Sequence, residues 1–186
     1  MLQYIKEYGK YVEITGYKNI AFDKAEAFLK TNRKQTQNVD LQFFDAELIA
    51  TDEHLYFAVL NALQAFKNKT NHSKSPAMET ILYASAQRQI QKAIERSGIK
   101  PQTKNLAVAI IGEDPKHVQE TLEHLTKTLG REPDEKVLEM KKTKEATIKK
   151  AFEIQKEELK IMENGDPKKA IVNLVIERIA LLATQF

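Results

Sequence analysis

A chain of 186 residues with 42% hydrophobic and 30% charged side chains is long enough to bury about two thirds of its unfolded surface around one core and too apolar to be disordered. Its formal charge of +3 does not mark a nucleic-acid binder unless the basic residues gather on one face. The absence of cysteine excludes disulfides, cysteine zinc sites and thiol nucleophiles, and fits a cytoplasmic protein.

The amino-terminal stretch MLQYIKEYGKYVEITGY lacks the apolar centre and cleavage site of a signal peptide. Within it Tyr11 to Tyr17 alternates β-branched and polar residues and reads as a half-buried strand. A short helix follows from Asp23, whose carboxylate can cap its first turn. Val39 to Ala50 opens with Val39, Leu41 and Phe43 at period two and then turns more apolar, as in a strand near a sheet centre. Leu55, Ala58, Val59, Ala62, Leu63 and Phe66 recur at helical spacing behind Thr51 or Asp52 as cap. A second helix is expected from Ser75 to about Ser97, with Ser75 as N-cap, Pro76 in the first turn and Gly98 as the stop. Leu106 to Gly112 is an apolar run that reads as a fully buried strand, and Asp114-Pro115 to Gly130 frames another helix. From Arg131 to about Gly165 the chain is charge-dense, and it closes in a helix from Asp166 to Leu182.

Strands alternating with helices predict an α/β (α+β) fold: a small mixed β-sheet flanked by helices, with a C-terminal helical segment. The sequence is expected to form a single domain over 1–186, with a core of about 1–130 and a helical annex of about 131–186 joined at Gly130 to Asp134.

Winding the Ser75–Ser97 helix at 100° per residue puts Leu82, Ala86, Ile90, Ala93 and Ile94 on one apolar arc. Ser85, Arg88, Gln89, Lys92 and Arg96 fall beside it, with Gln89 reaching well into the apolar arc. This stripe is either the solvated edge of an amphipathic helix or a binding surface, and Lys67, Lys69, His72 and Lys74 feed the same helix start, where free amide groups suit an anion such as phosphate. The closing helix is apolar nearly all round, so it either threads the core or turns one face to another protein. No phosphate-binding glycine loop, dinucleotide fingerprint, zinc-protease motif or nucleophile elbow occurs. His117, Glu120 and His124 are read as a solvated helix edge, not a metal site, and His54 as a capping or packing histidine.

The segments FFDAELIATDEHLYFAVLNALQAF, SKSPAMETILYASAQRQIQKAIERSGIK and IVNLVIERIALL, in this order and spacing, resemble the kinase-binding regulatory subunit of the KEOPS complex in its archaeal form, related to the human PRPK-binding protein. The resemblance runs from about Tyr11 to Leu182 and is most specific around Glu79 and Arg88-Gln89-Ile90, then at Glu177 to Leu182. It implies a noncatalytic subunit of the machinery that makes threonylcarbamoyladenosine in tRNA, one that docks on and stimulates an atypical kinase and recruits tRNA by its single-stranded 3′ CCA end. It further implies Lys74, Ser85, Arg88, Gln89 and Lys92 as tRNA contacts. The kinase contact would come from Val172, Val175, Ile176, Ile179 and Leu182, with Glu177 and Arg178 setting register. No cofactor, metal, membrane or small-molecule substrate belongs to this reading. The chain departs from the family pattern at Ala86 and at Glu153, where glycine is common. A self-associating scaffold built on the closing helix and a small-ligand module beside Gln89 are the competing readings.

Overall fold

Every residue of one strand, Leu106–Gly112, is buried, and the fold follows from why it must be. Alternate side chains of a strand point to opposite faces, so an unbroken apolar run needs cover on both. In the computed structural model, which describes residues 2–35, 38–162 and 166–184, Ala107, Ala109 and Ile111 enter one apolar cluster while Leu106, Val108 and Ile110 enter another across the sheet.

The strands are β1 (Gln3–Ile5), β2 (Lys10–Tyr17), β3 (Val39–Asp45) and β4 (Leu106–Gly112), in the spatial order β1-β2-β4-β3. The helix-flanked α/β sheet is as expected, but among the described residues every pairing is antiparallel and none is parallel, where a mixed sheet was expected. β4 runs opposite to both β2 and β3 and slots between them, which separates the two strands that run the same way. For the same reason β3 lies at the sheet edge and not near its centre; its apolar character comes from helices on both faces. β1 is too short to give a period-two signal.

Helices α1 (Phe22–Gln35) and α5 (Pro115–Leu129) cover one face, where Phe28 stacks on Phe43 at 6.2 Å between ring centroids. Helices α2 (Asp52–Asn68) and α3 (Pro76–Ala84) cover the other. The caps are those the sequence offers: Thr51 accepts from His54 N–H, Ser75 from Met78 N–H and Asp114 from Lys116 N–H. A short helix α4 (Ile90–Ser97) follows α3, and the charge-dense region holds α6 (Lys142–Ala151), α7 (Lys156–Met162) and α8 (Pro167–Ala183). Gly165, expected to close that region, lies outside the described residues.

The annex is fastened to the sheet and to α2. Asp134 N–H donates to Gly16 O at 2.7 Å, an approach that only glycine permits, because a Cβ on Gly16 would overlap Val137 Cγ2 and stand 3.1 Å from Leu106 O. Lys144 is buried and its ammonium donates to Ile49 O and Val137 O. Burial, more than the partly compensating field of Glu47, lowers its pKa to about 8. Val137, Ile148, Phe152, Ile171 and Val175 belong to the same buried cluster as Leu55, Ile81 and Ile111, so core and annex share apolar packing. Among the described residues no helix is long and apolar enough to cross a membrane.

Candidate functional site

The helix expected from Ser75 to Ser97 is broken in its middle. α3 ends at Ala84, Ser85 is its C-cap, and Ala86 takes the left-handed conformation with φ +49°. Ala86 N–H then donates to Tyr83 O at 2.8 Å and Gln87 N–H to Leu82 O at 2.9 Å, the paired bonds of a Schellman ending. The sequence hides this stop because alanine stands where such endings favour glycine. Glu153, with φ +54°, repeats the arrangement after α6: its N–H donates to Lys150 O and Ile154 N–H to Lys149 O. Ala86 and Glu153, the two positions where the resemblance implies glycine, are thus the residues that close these helices in the left-handed region. Ala86→Gly and Glu153→Gly are each expected to raise stability by about 1 kcal/mol in urea unfolding; unchanged or lower midpoints would refute the strain.

Because the helix is broken, its winding no longer predicts its faces. Leu82 and Ala93 are buried and Ala86 is half-buried, but Ile90 and Ile94 are 36% and 42% exposed, and Gln89 is exposed where an apolar arc was expected. Gln89 is the N-cap position of α4 and makes no side-chain cap. Arg88 and Lys92 are exposed beside it. Ser85, expected on the binding stripe, is fully buried and donates through Oγ to Ile81 O at 2.7 Å, so its work is to end α3. Arg96 Nη1 donates to Ser85 O at 3.3 Å and ties α4 to that turn.

Lys74 is presented by the loop before α3, and a buried carboxylate holds that loop. Glu79 Oε2 accepts from Ser73 N–H at 2.7 Å and from His72 N–H at 3.1 Å, while His72 Nδ1 stands 3.9 Å from Oε1. A groove of about 470 Å³ runs between this loop, Met78 and Ile90 on one side and Asp40 and Gln42 of β3 on the other. Lys74 and Ile90 thereby share one cleft, with Arg88 and Gln89 adjacent in the chain to Ile90. Gln42 and Asp40, which composition and periodicity do not single out, enter the site only through the fold. A larger groove of about 1090 Å³ beside the start of α2 carries Asp52, Glu53, Asp134, Glu135 and Glu139 against Lys136.

α8 resolves into faces that its sequence leaves open. Val172, Val175, Ile179 and Leu182, expected to meet a partner, are buried against the rest of the chain, because α2, α3, α6 and α7 pack around α8. Glu177 and Leu181, the latter 43% exposed, face outward and Ile176 is half-exposed. Arg178 is engaged with Glu158 of α7 at 2.5 Å, which holds the Glu158 carboxyl below the usual range. His54 is buried, its Nδ1 accepting from Ala50 N–H at 3.0 Å and its Nε2 2.9 Å from Ala84 O, which makes it a neutral packing histidine. His124 lies edge-on to the Phe28 ring at 5.1 Å, and no group of three or more metal-ligating side chains occurs among the described residues.

The family model described as "Kinase binding protein CGI-121" matches residues 17–183. The "Regulatory protein Cgi121" of Methanocaldococcus jannaschii is 35% identical over 141 residues, covering 76% of this chain and 81% of that protein.

Proposed function

The chain belongs to the CGI-121 family of kinase-binding regulatory proteins, and from that membership we propose that it is the noncatalytic regulatory subunit of the KEOPS tRNA threonylcarbamoyladenosine machinery. It docks on the atypical kinase, stimulates it, and recruits tRNA through the 3′ CCA end. The observation that carries the tRNA part is the left-handed turn at Ala86, which starts a new helix at Ile90 and leaves Arg88, Gln89 and Lys92 exposed beside the groove that Lys74 lines. Exposed cations at the rim serve phosphates, the amide of Gln89 serves base edges, and Ile90 offers an apolar surface for a ring.

For the kinase, the reading is carried by the outward side of α8, where Ile176, Glu177 and Leu181 remain accessible while Val172, Val175, Ile179 and Leu182 hold the helix in place from behind. A partner can use an exposed leucine rimmed by charge without unfolding the annex.

Labelled tRNA titrated against a transcript lacking its CCA end tests recruitment: the intact tRNA is expected to bind tighter, and equal affinities would sink it. Reversing charge in the double variant Arg88→Glu, Lys92→Glu is expected to weaken tRNA binding about tenfold or more and to reduce the salt slope by about 1 for each phosphate no longer neutralised. The circular dichroism of that variant should match the parent. Copurification tests docking, with Leu181→Asp expected to lose the kinase.

A further inference from the structure

The groove between β3 and α3 contains a polar atom that the fold does not satisfy. Gln42 is 4% exposed; its Nε2 donates to Phe43 O at 2.9 Å, and its Oε1 is shut from solvent with no hydrogen-bond partner among the described residues. That bond fixes the orientation of the amide, since turning it over would set oxygen against the Phe43 carbonyl. A buried acceptor without a donor is costly, and such atoms in folded proteins mark places where something else supplies the bond.

The surroundings of Gln42 define what that donor belongs to. Asp40, two residues along β3 and on the same face, lines the same cleft and adds a second side-chain acceptor on the strand side. Burial holds the Asp40 carboxyl above its usual range, and Lys10 draws it partly back. Met78 and Ile90 form an apolar wall, and Met78 is unbranched and pliable enough to move aside for a planar ring. Lys74 supplies a cation to the same cleft. A ligand that fits carries N–H donors, a flat apolar body and an anion.

We propose that Gln42 is a specificity-determining residue that accepts a hydrogen bond from the exocyclic amine of an adenine or cytosine held between Met78 and Ile90, with the nucleotide's phosphate on Lys74. This rests on the RNA-binding reading for its macromolecular source. The same chemistry fits a free mononucleotide.

The probes are adenosine 5′-monophosphate and purine riboside 5′-monophosphate, which differ only in the amine, followed through the Met78 and Ile90 methyl resonances and the Gln42 side-chain amide. The adenine nucleotide is expected to shift these signals and to bind about fivefold or more tightly than the purine nucleotide, the effect of one added hydrogen bond. Gln42→Leu should erase that preference and raise the Tm, because an orphaned acceptor is replaced by apolar bulk; Gln42→Met repeats the test with an unbranched side chain. Equal binding of the two nucleotides, or a preference surviving both substitutions, overturns the assignment. If tRNA affinity depends on the CCA end while the two nucleotides bind alike, RNA recruitment stands and the Gln42 subsite falls. If the amine preference holds and tRNA is indifferent to its 3′ end, the subsite stands with a free nucleotide as its source.

Discussion

Glu79→Ala is expected to lower stability by about 4 kcal/mol and to weaken tRNA binding with it. The side chain is fully buried, and its carboxylate accepts from the main-chain amides of His72 and Ser73, both of which lie in the loop that presents Lys74. Removing it leaves two amides without an acceptor, each costing about 1–3 kcal/mol when shut from water, and dismantling a buried charge with its hydrogen bonds falls in the range of about 3–5 kcal/mol. Glu79→Gln keeps the volume and one acceptor oxygen but turns an amino group toward the same donors, so about half the loss is expected. Urea unfolding measures both. A loss under about 1 kcal/mol for alanine would show that the loop finds other acceptors and that the carboxylate does not hold it. Because the loop carries Lys74, tRNA affinity should follow the order parent, Gln, Ala, although neither substitution touches the proposed RNA surface directly.

The second large effect is a loss of stability in mild acid traced to His54. Burial, the dominant cause, lowers its pKa from 6.5 to about 4; the Ala84 carbonyl raises it in part and the Lys144 charge lowers it further. The unfolded chain therefore binds a proton between about pH 6.5 and about pH 4 that the folded chain refuses, and stability falls as pH drops through that window. Over the whole window the loss approaches about 3 kcal/mol. It is absent above pH 6.5, where the imidazole is neutral in both states. Glu113, Asp134 and Glu158 have carboxyls held below their usual range by Lys10, Lys18 and Arg178 respectively, so their own contributions are lost lower in pH. His54→Gln can still accept from Ala50 N–H or donate to Ala84 O and does not titrate, so its urea midpoint should stay flatter from pH 6.5 to 4. Parallel profiles for parent and variant would overturn the assignment to His54.

Protonation at His54 would also reach the candidate site. Its Nε2 is bonded to Ala84 O in the last turn of α3, immediately before the turn at Ala86. A cationic ring can still donate to Ala84 but no longer accepts from Ala50 N–H, so the connection between the short helical turn Ala46–Leu48 and α2 is the part that loosens.

How far the site could be read from sequence depends on the range of the interaction involved. Lys74, Arg88 and Lys92 could be placed on exposed positions because charged side chains seek water wherever the backbone takes them. Ser85, expected on the binding stripe, lies inside instead: the same hydroxyl can line a groove or bond back to Ile81 O, and only the break in the helix selects the second. Ile90 and Ile94 were expected inside by periodicity and stand partly outside, because a left-handed residue at 86 resets the phase of every later side chain. Gln42 carries no sequence signal at all, since its isolation arises between a strand and a helix more than thirty residues further along.

What the sequence determined by itself is local. The strand at Tyr11–Tyr17, the unbroken apolar run at Leu106–Gly112 and the caps at Thr51, Ser75, Asp114 and Gly130 each depend on neighbours within a turn or a strand pair, and each forms where it was read, although Tyr11–Tyr17 is buried on both faces over most of its length and not half-buried, because helices cover both sides of the sheet. Tertiary structure alone decided the strand order with β4 between β2 and β3, the burial of Val172, Val175, Ile179 and Leu182, and the cleft that joins β3 to α3. The physical reason is that an apolar side chain records only that it must be covered. Which element covers it is settled by pairing and packing between segments far apart in the chain, where no local pattern reaches.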